Sequence, residues 1–110
     1  MRVFLDDKKD LPEGFDLLVR TFDDMMQLLI YGQAITHLSL DWDLGEIEKG
    51  RDLCDGIKIC HFISRLAYKG QLSRFTWDVH SEAEYKKQEM EEIMRQADEQ
   101  WDINEKRNSS

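Results

Sequence analysis

Cysteine is scarce in this chain: there are 2, Cys54 and Cys60, and they form no CxxC pair. Their spacing does not suit a zinc site, and a disulfide is not expected in a cytosolic chain. Both read as small apolar side chains on a helix. Proline is scarcer, with Pro12 alone, and there is no linker, internal repeat or low-complexity stretch. No apolar run approaches the roughly 18 residues of a membrane span. The opening MRVFLDDKKD carries acids where a signal peptide needs an apolar stretch. These absences point to a soluble, cytoplasmic protein with no membrane partner. Basic residues are the minority: 15 Lys and Arg stand against 23 Asp and Glu, for a net charge of −8. Such a surface repels phosphate backbones, which excludes duplex DNA held through a basic patch. It suits a divalent cation, a basic protein partner, or solubility alone.

What is present is enough for a core. The chain has 110 residues, 41% of them hydrophobic and 10% aromatic, which excludes disorder throughout. Residues 3–5 form a short apolar run that stops at Asp6-Asp7, as a buried strand does. The segment KKDLPEGF holds the proline and a glycine and reads as a loop. Residues 16–20 (DLLVR) read as a second strand. Thr21 with Asp24 forms a capping pair ahead of Phe22, Met25, Met26 and Leu29 at helical spacing, and Gly32 is placed to end that helix. Residues 36–40 (THLSL) predict a third strand running into Asp41-Trp42-Asp43. A helix follows from about Arg51, with Leu53, Ile57, Cys60, Ile63 and Ala67 on one stripe and Gly70 closing it. Residues 75–80 (FTWDVH) predict a fourth strand ending at His80-Ser81. A last helix begins near Glu82, with Ala83, Met90, Met94, Ala97 and Trp101 as its apolar stripe. Residues 1–103 are assigned to one domain and 104–110 to a polar, frayed tail. The order β-β-α-β-α-β-α, with crossovers long enough for helices, predicts an α/β fold with a mostly parallel sheet of about four strands.

Polar residues collect at the C-terminal ends of three of these strands: Asp6 and Asp7, Asp41 and Asp43, His80 and Ser81. In open α/β sheets the ligand crevice lies outside those ends. A parallel sheet would gather the carboxylates, and crowded carboxylates call for a divalent cation with hard oxygen ligands. Such an ion polarises a phosphoryl oxygen. His80 then has the chemistry of a general acid or base, and Ser81 that of a hydrogen-bond donor to phosphate. Each piece also has a plain structural explanation. Asp6-Asp7 can simply end a strand, and Ser81 with Glu84 makes a capping box for the last helix. Asp41 and Asp43 do not make an EF-hand, because the glycine falls at the fifth position and no closing Glu follows. His37 and His61 are assigned to surface or helix packing, and the acids of residues 82–105 to a solvated helical face.

The blocks VFLDD (residues 3–7), LSLDWDLG (residues 38–45) and VHS (residues 79–81) resemble, in order and spacing, the cyclic-phosphate-processing receiver-like domains. The resemblance implies a small flavodoxin- or receiver-like three-layer sandwich with an acidic pocket at the strand C-termini. It implies Mg²⁺ (or Mn²⁺) on Asp6, Asp7 and Asp41, with Asp43, His80 and Ser81 as the catalytic set. The substrate it implies is a cyclic phosphate ester, a small molecule or an RNA end, handled in RNA repair or phage–host conflict. Trp42 stands where the family usually has His, and Glu82-Ala83 where relatives often have Asn-Pro. No Lys follows a fifth strand, so phosphorelay signalling is not expected. The Trp42 change, with the net charge, leaves a second reading open: a catalytically inactive acidic protein that binds a basic partner, or a nucleotide without turnover.

Overall fold

Short apolar runs that end at acids become the strands of one sheet, and apolar stripes at helical spacing become the helices laid on it. The computed structural model describes residues 1–31, 34–41, 55–81 and 84–108. Among these, the elements run β1 (Arg2–Leu5), β2 (Leu17–Val19), α1 (Phe22–Tyr31), β3 (His37–Asp41), α2 (Asp55–Tyr68), β4 (Thr76–His80) and α3 (Glu84–Asn108). The four strands are all parallel, in the order β2-β1-β3-β4. This is a small α/β receiver-like fold. No helix among the described residues is long and apolar enough to cross a membrane.

The helix boundaries follow from local chemistry. Thr21 caps α1: its Oγ1 accepts the Asp24 N–H at 3.1 Å, and its carbonyl accepts the Met25 N–H. Asp23 and Asp24 fill the first turn, where the helix dipole favours negative charge. The C-terminus of α2 closes on Gly70, whose φ is 70°. The Gly70 N–H bonds the Ala67 carbonyl and the Gln71 N–H bonds that of Leu66, the paired pattern of a Schellman motif. The expected start of this helix near Arg51, with Leu53 and Cys54, lies outside the described residues, as do Gly32, Glu82 and Ala83.

One contiguous core holds the sheet to the helices. Val3, Leu5, Val19, Leu38, Leu40 and Val79 supply the sheet side. Met25 and Leu29 of α1, Ile59, Cys60, Ile63 and Ala67 of α2, and Met90, Ile93, Met94, Ala97 and Trp101 of α3 supply the helix side. Each of the larger side chains contributes about 1.5–3 kcal/mol by leaving water. The Trp101 indole N–H is satisfied by the Leu72 carbonyl at 2.8 Å. The polar tail expected from Asn104 is instead helical through Asn108. Asn104 Nδ2 donates to the Ala67 carbonyl at 2.7 Å, and Arg74 reaches Asp102 and Glu105, so the last turns of α3 are tied back to the body.

All three helices share the core on one face of the sheet. Handedness explains this. The crossovers β2-α1-β3 and β3-α2-β4 both step in the same direction across the sheet, so a right-handed path puts both helices on the same side. The connection that steps the other way, from β1 to β2, is the loop 6–16, which carries no helix. Among the described residues, the second face is therefore covered by that loop alone. Phe15, delivered by a turn at Gly14 (φ 89°), packs edge-on against Phe4 with ring centroids 5.2 Å apart.

Candidate metal centre and the polar face behind it

The parallel register brings together what the sequence holds far apart. Leu5 pairs with Leu40, and Asp41 with His80, so the first residue beyond β1 and the last residues of β3 and β4 share one edge. Asp6, Asp41 and His80 each offer a ligand atom there, and the three atoms lie within 4.8 Å of one another. Asp6 is buried while Asp41 and His80 are half-buried, so the cluster opens toward solvent on one side.

Asp6 is the anchor. Its Oδ1 accepts the backbone N–H groups of Lys8 and Lys9 at 2.8 and 2.9 Å, and Oδ2 faces His80 Nε2 at 2.9 Å. Burial pushes the Asp6 carboxyl up, but the Lys9 and Lys8 amides and the His80 ring outweigh it and hold the group below its ordinary value. The residue is thus a carboxylate fixed in place by its own turn.

His80 is held on three sides. Besides Asp6 at Nε2, its Nδ1 lies 2.8 Å from Ser39 Oγ, and the Phe4 ring stacks flat on it, centroids 4.6 Å apart and planes within 4°. Ser39 gives its hydroxyl proton to Asp78 Oδ1, which leaves its oxygen as an acceptor toward Nδ1. Both ring nitrogens of His80 therefore point at acceptors. Asp78 Oδ2 in turn meets His37 Nε2 at 3.0 Å, and His37 Nδ1 meets Thr76 Oγ1 at 2.7 Å. The Thr76 hydroxyl donates to the Thr36 carbonyl. A file of hydrogen bonds thus runs from Thr36 to Asp6 across the face that carries none of the described helices.

Of the residues singled out in the sequence, Asp6, Asp41 and His80 come together. Asp7 is half-buried and does not join them, because the chain turns at Asp6 to present the Lys8 and Lys9 amides. Ser81 follows β4 directly and is half-buried, outside the group of three. Residues 82–83, between Ser81 and its expected capping partner Glu84, lie outside the described residues, as do Asp43 and Trp42. Ser39, Asp78 and Phe4 are not among the residues singled out in the sequence, and His37, assigned to surface or helix packing, is a half-buried strand residue bound to Asp78 and Thr76. The signal was available: His37, Ser39 and Asp41 alternate along β3, as do Thr76, Asp78 and His80 along β4, and alternation puts each set on one face.

The cyclic-phosphate processing receiver domain model matches residues 1–96. The chain belongs to that family. No curated protein and no solved structure matches it. In this receiver domain the acidic edge expected at the strand C-termini is built from two carboxylates and an imidazole. Carboxylate oxygens suit Mg²⁺ or Mn²⁺, and the imidazole adds a nitrogen donor that Mn²⁺ and later metals accept more readily than Mg²⁺. The donor set fits a divalent cation, and the Lys8 and Lys9 amides already orient Asp6 while the Ser39 hydroxyl orients His80.

Proposed function

We propose that this receiver domain binds a divalent cation on the carboxylates of Asp6 and Asp41, with the His80 imidazole beside it, and uses that edge to open a cyclic phosphate ester, a cyclic nucleotide or a 2′,3′-cyclic RNA end. The observation that carries the reading is the convergence of those three side chains, from three strands, in a chain of a cyclic-phosphate processing family. Bound there, the cation supplies positive charge against a phosphoryl oxygen as charge builds on it. The protein's own groups do the rest. Asp6, locked by two backbone amides, fixes one ligand position without having to reorganise. Asp41 fixes a second. His80 is the group that moves a proton, taking it from the attacking water or giving it to the leaving oxygen. Ser81, next along the chain, donates its hydroxyl to the phosphoryl group, and Asp43 adds a carboxylate beyond β3.

The test is a calorimetric titration of Mg²⁺ and Mn²⁺ into the protein beside Asp41→Asn, followed by turnover of a 2′,3′-cyclic nucleotide. Binding to the wild type, weakened tenfold or more by Asp41→Asn, and ring-opening that needs His80 are expected. At a hundredfold excess over Kd the ion should stabilise the fold by about 2.7 kcal/mol. Absence of cation binding overturns the reading. The net charge of −8 favours a second one, an acidic docking protein for a basic partner. In that case Asp41→Asn leaves activity intact and charge reversal at Glu91 and Glu92 abolishes it.

A further inference from the structure

The file of hydrogen bonds from Thr36 to Asp6 is more than strand pairing needs. The ladder between β3 and β4 is made by the backbone, and Ser39 sits in it, 4% exposed, between Phe4 on one side and Asp78 on the other. A buried hydroxyl loses water for no gain in packing, so an apolar residue would serve the sheet better. The hydroxyl does have a use as a bridge: it joins the carboxylate of Asp78 to Nδ1 of His80. Asp78 cannot swing away from that task, because its other oxygen is held by His37, which Thr76 holds in turn.

We infer that Ser39 and Asp78 are positioning residues for His80, fixing the ring's rotation and the hydrogen on Nδ1 from the open face of the sheet, so that Nε2 faces the candidate metal edge. Neither touches that edge itself, and both act through the imidazole. Phe4 completes the arrangement by closing the flat side of the ring. The inference deepens the proposed function and rests on it only for the role of His80 in moving a proton. The orientation of the ring is a property of the protein alone.

The experiment separates the two. Nitrogen NMR of the His80 ring is recorded on the wild type, Asp78→Ala, Asp78→Asn and Ser39→Ala, with turnover of a 2′,3′-cyclic nucleotide measured beside it. The Asp78 side chain is 57% exposed, so its replacement leaves the core untouched and the variant folded. Expected are displaced Nδ1 and Nε2 resonances in Asp78→Ala and Ser39→Ala, and a smaller change in Asp78→Asn, whose amide oxygen still accepts from Ser39. Turnover should fall roughly tenfold or more through kcat, with KM little changed, and Ser39→Thr should restore it. His80 resonances that stay at their wild-type positions in Asp78→Ala overturn the positioning role. Displaced resonances in a protein whose wild type shows no turnover uphold the positioning role and overturn the proposed function instead.

Discussion

Asp6 has both carboxylate oxygens engaged, one by two amides and one by an imidazole, and it is the residue whose loss should be felt in two separate ways. Because its folded pKa lies below the ordinary value of 3.8, the unfolded chain binds the proton more tightly than the folded one. The carboxylate therefore contributes stability above that ordinary value and loses it as pH falls through the folded value. Asp6→Asn keeps an acceptor for Lys8 and Lys9 only by turning its NH2 donor toward His80. Hydrogen bonds to charged groups contribute about 1.5–3 kcal/mol, so a loss of that order is expected at neutral pH in metal-free buffer. The wild type should then lose ground to the variant as the solution is acidified below about pH 4. Urea denaturation of both proteins at neutral and acid pH measures this. Two parallel stability curves would mean that Asp6 is not the ionised anchor described here.

At the scale of elements, the helices were easier to foresee than the site. Met90, Met94, Ala97 and Trp101 recur at helical spacing because one side of α3 must meet α2 and the sheet, and all four are buried. Gly70 ends α2 for a reason equally visible in sequence, since only glycine adopts φ 70° at little cost. Nothing within 4 Å would obstruct a Cβ there, so Gly70→Ala tests conformation without collision. About 1 kcal/mol of destabilisation is expected, readable as a lowered urea midpoint at unchanged slope. The strands gave up their existence but not their pairing. That Asp6, Asp41 and His80 end strands could be read from apolar runs stopping at polar residues. That Asp41 lies across from His80, and that Asp6 rather than Asp7 faces them, depends on register and on the turn at Lys8, and neither is written in any local stretch. The alternation of His37 with Ser39 and of Asp78 with His80 was legible, yet it gains meaning only once β3 and β4 are side by side.

Across the whole molecule, the same strands serve two different solvents. The path of the chain puts every described helix on one face, so adjacent residues of one strand have opposite duties: Leu38 belongs to the core and Ser39 to the polar file. Among the described residues, the loop 6–16 sends no helix to the second face. A sheet whose described helices all lie on one side does not draw stability equally from both. Leu38→Ala removes a fully buried side chain and should cost about 2–5 kcal/mol, a large share of the 5–15 kcal/mol that holds a domain of this size together. His37→Ala, one position earlier in β3, removes two hydrogen bonds on the open face, each contributing about 0.5–1.5 kcal/mol, so its cost should be the smaller. Urea denaturation of the two variants decides the matter. Equal losses would mean that the open face is a second core and that its polar file is structural. A much smaller loss for His37→Ala, together with an altered His80 ring, would mean that the fold keeps its stability on one face of the sheet and its chemistry on the other.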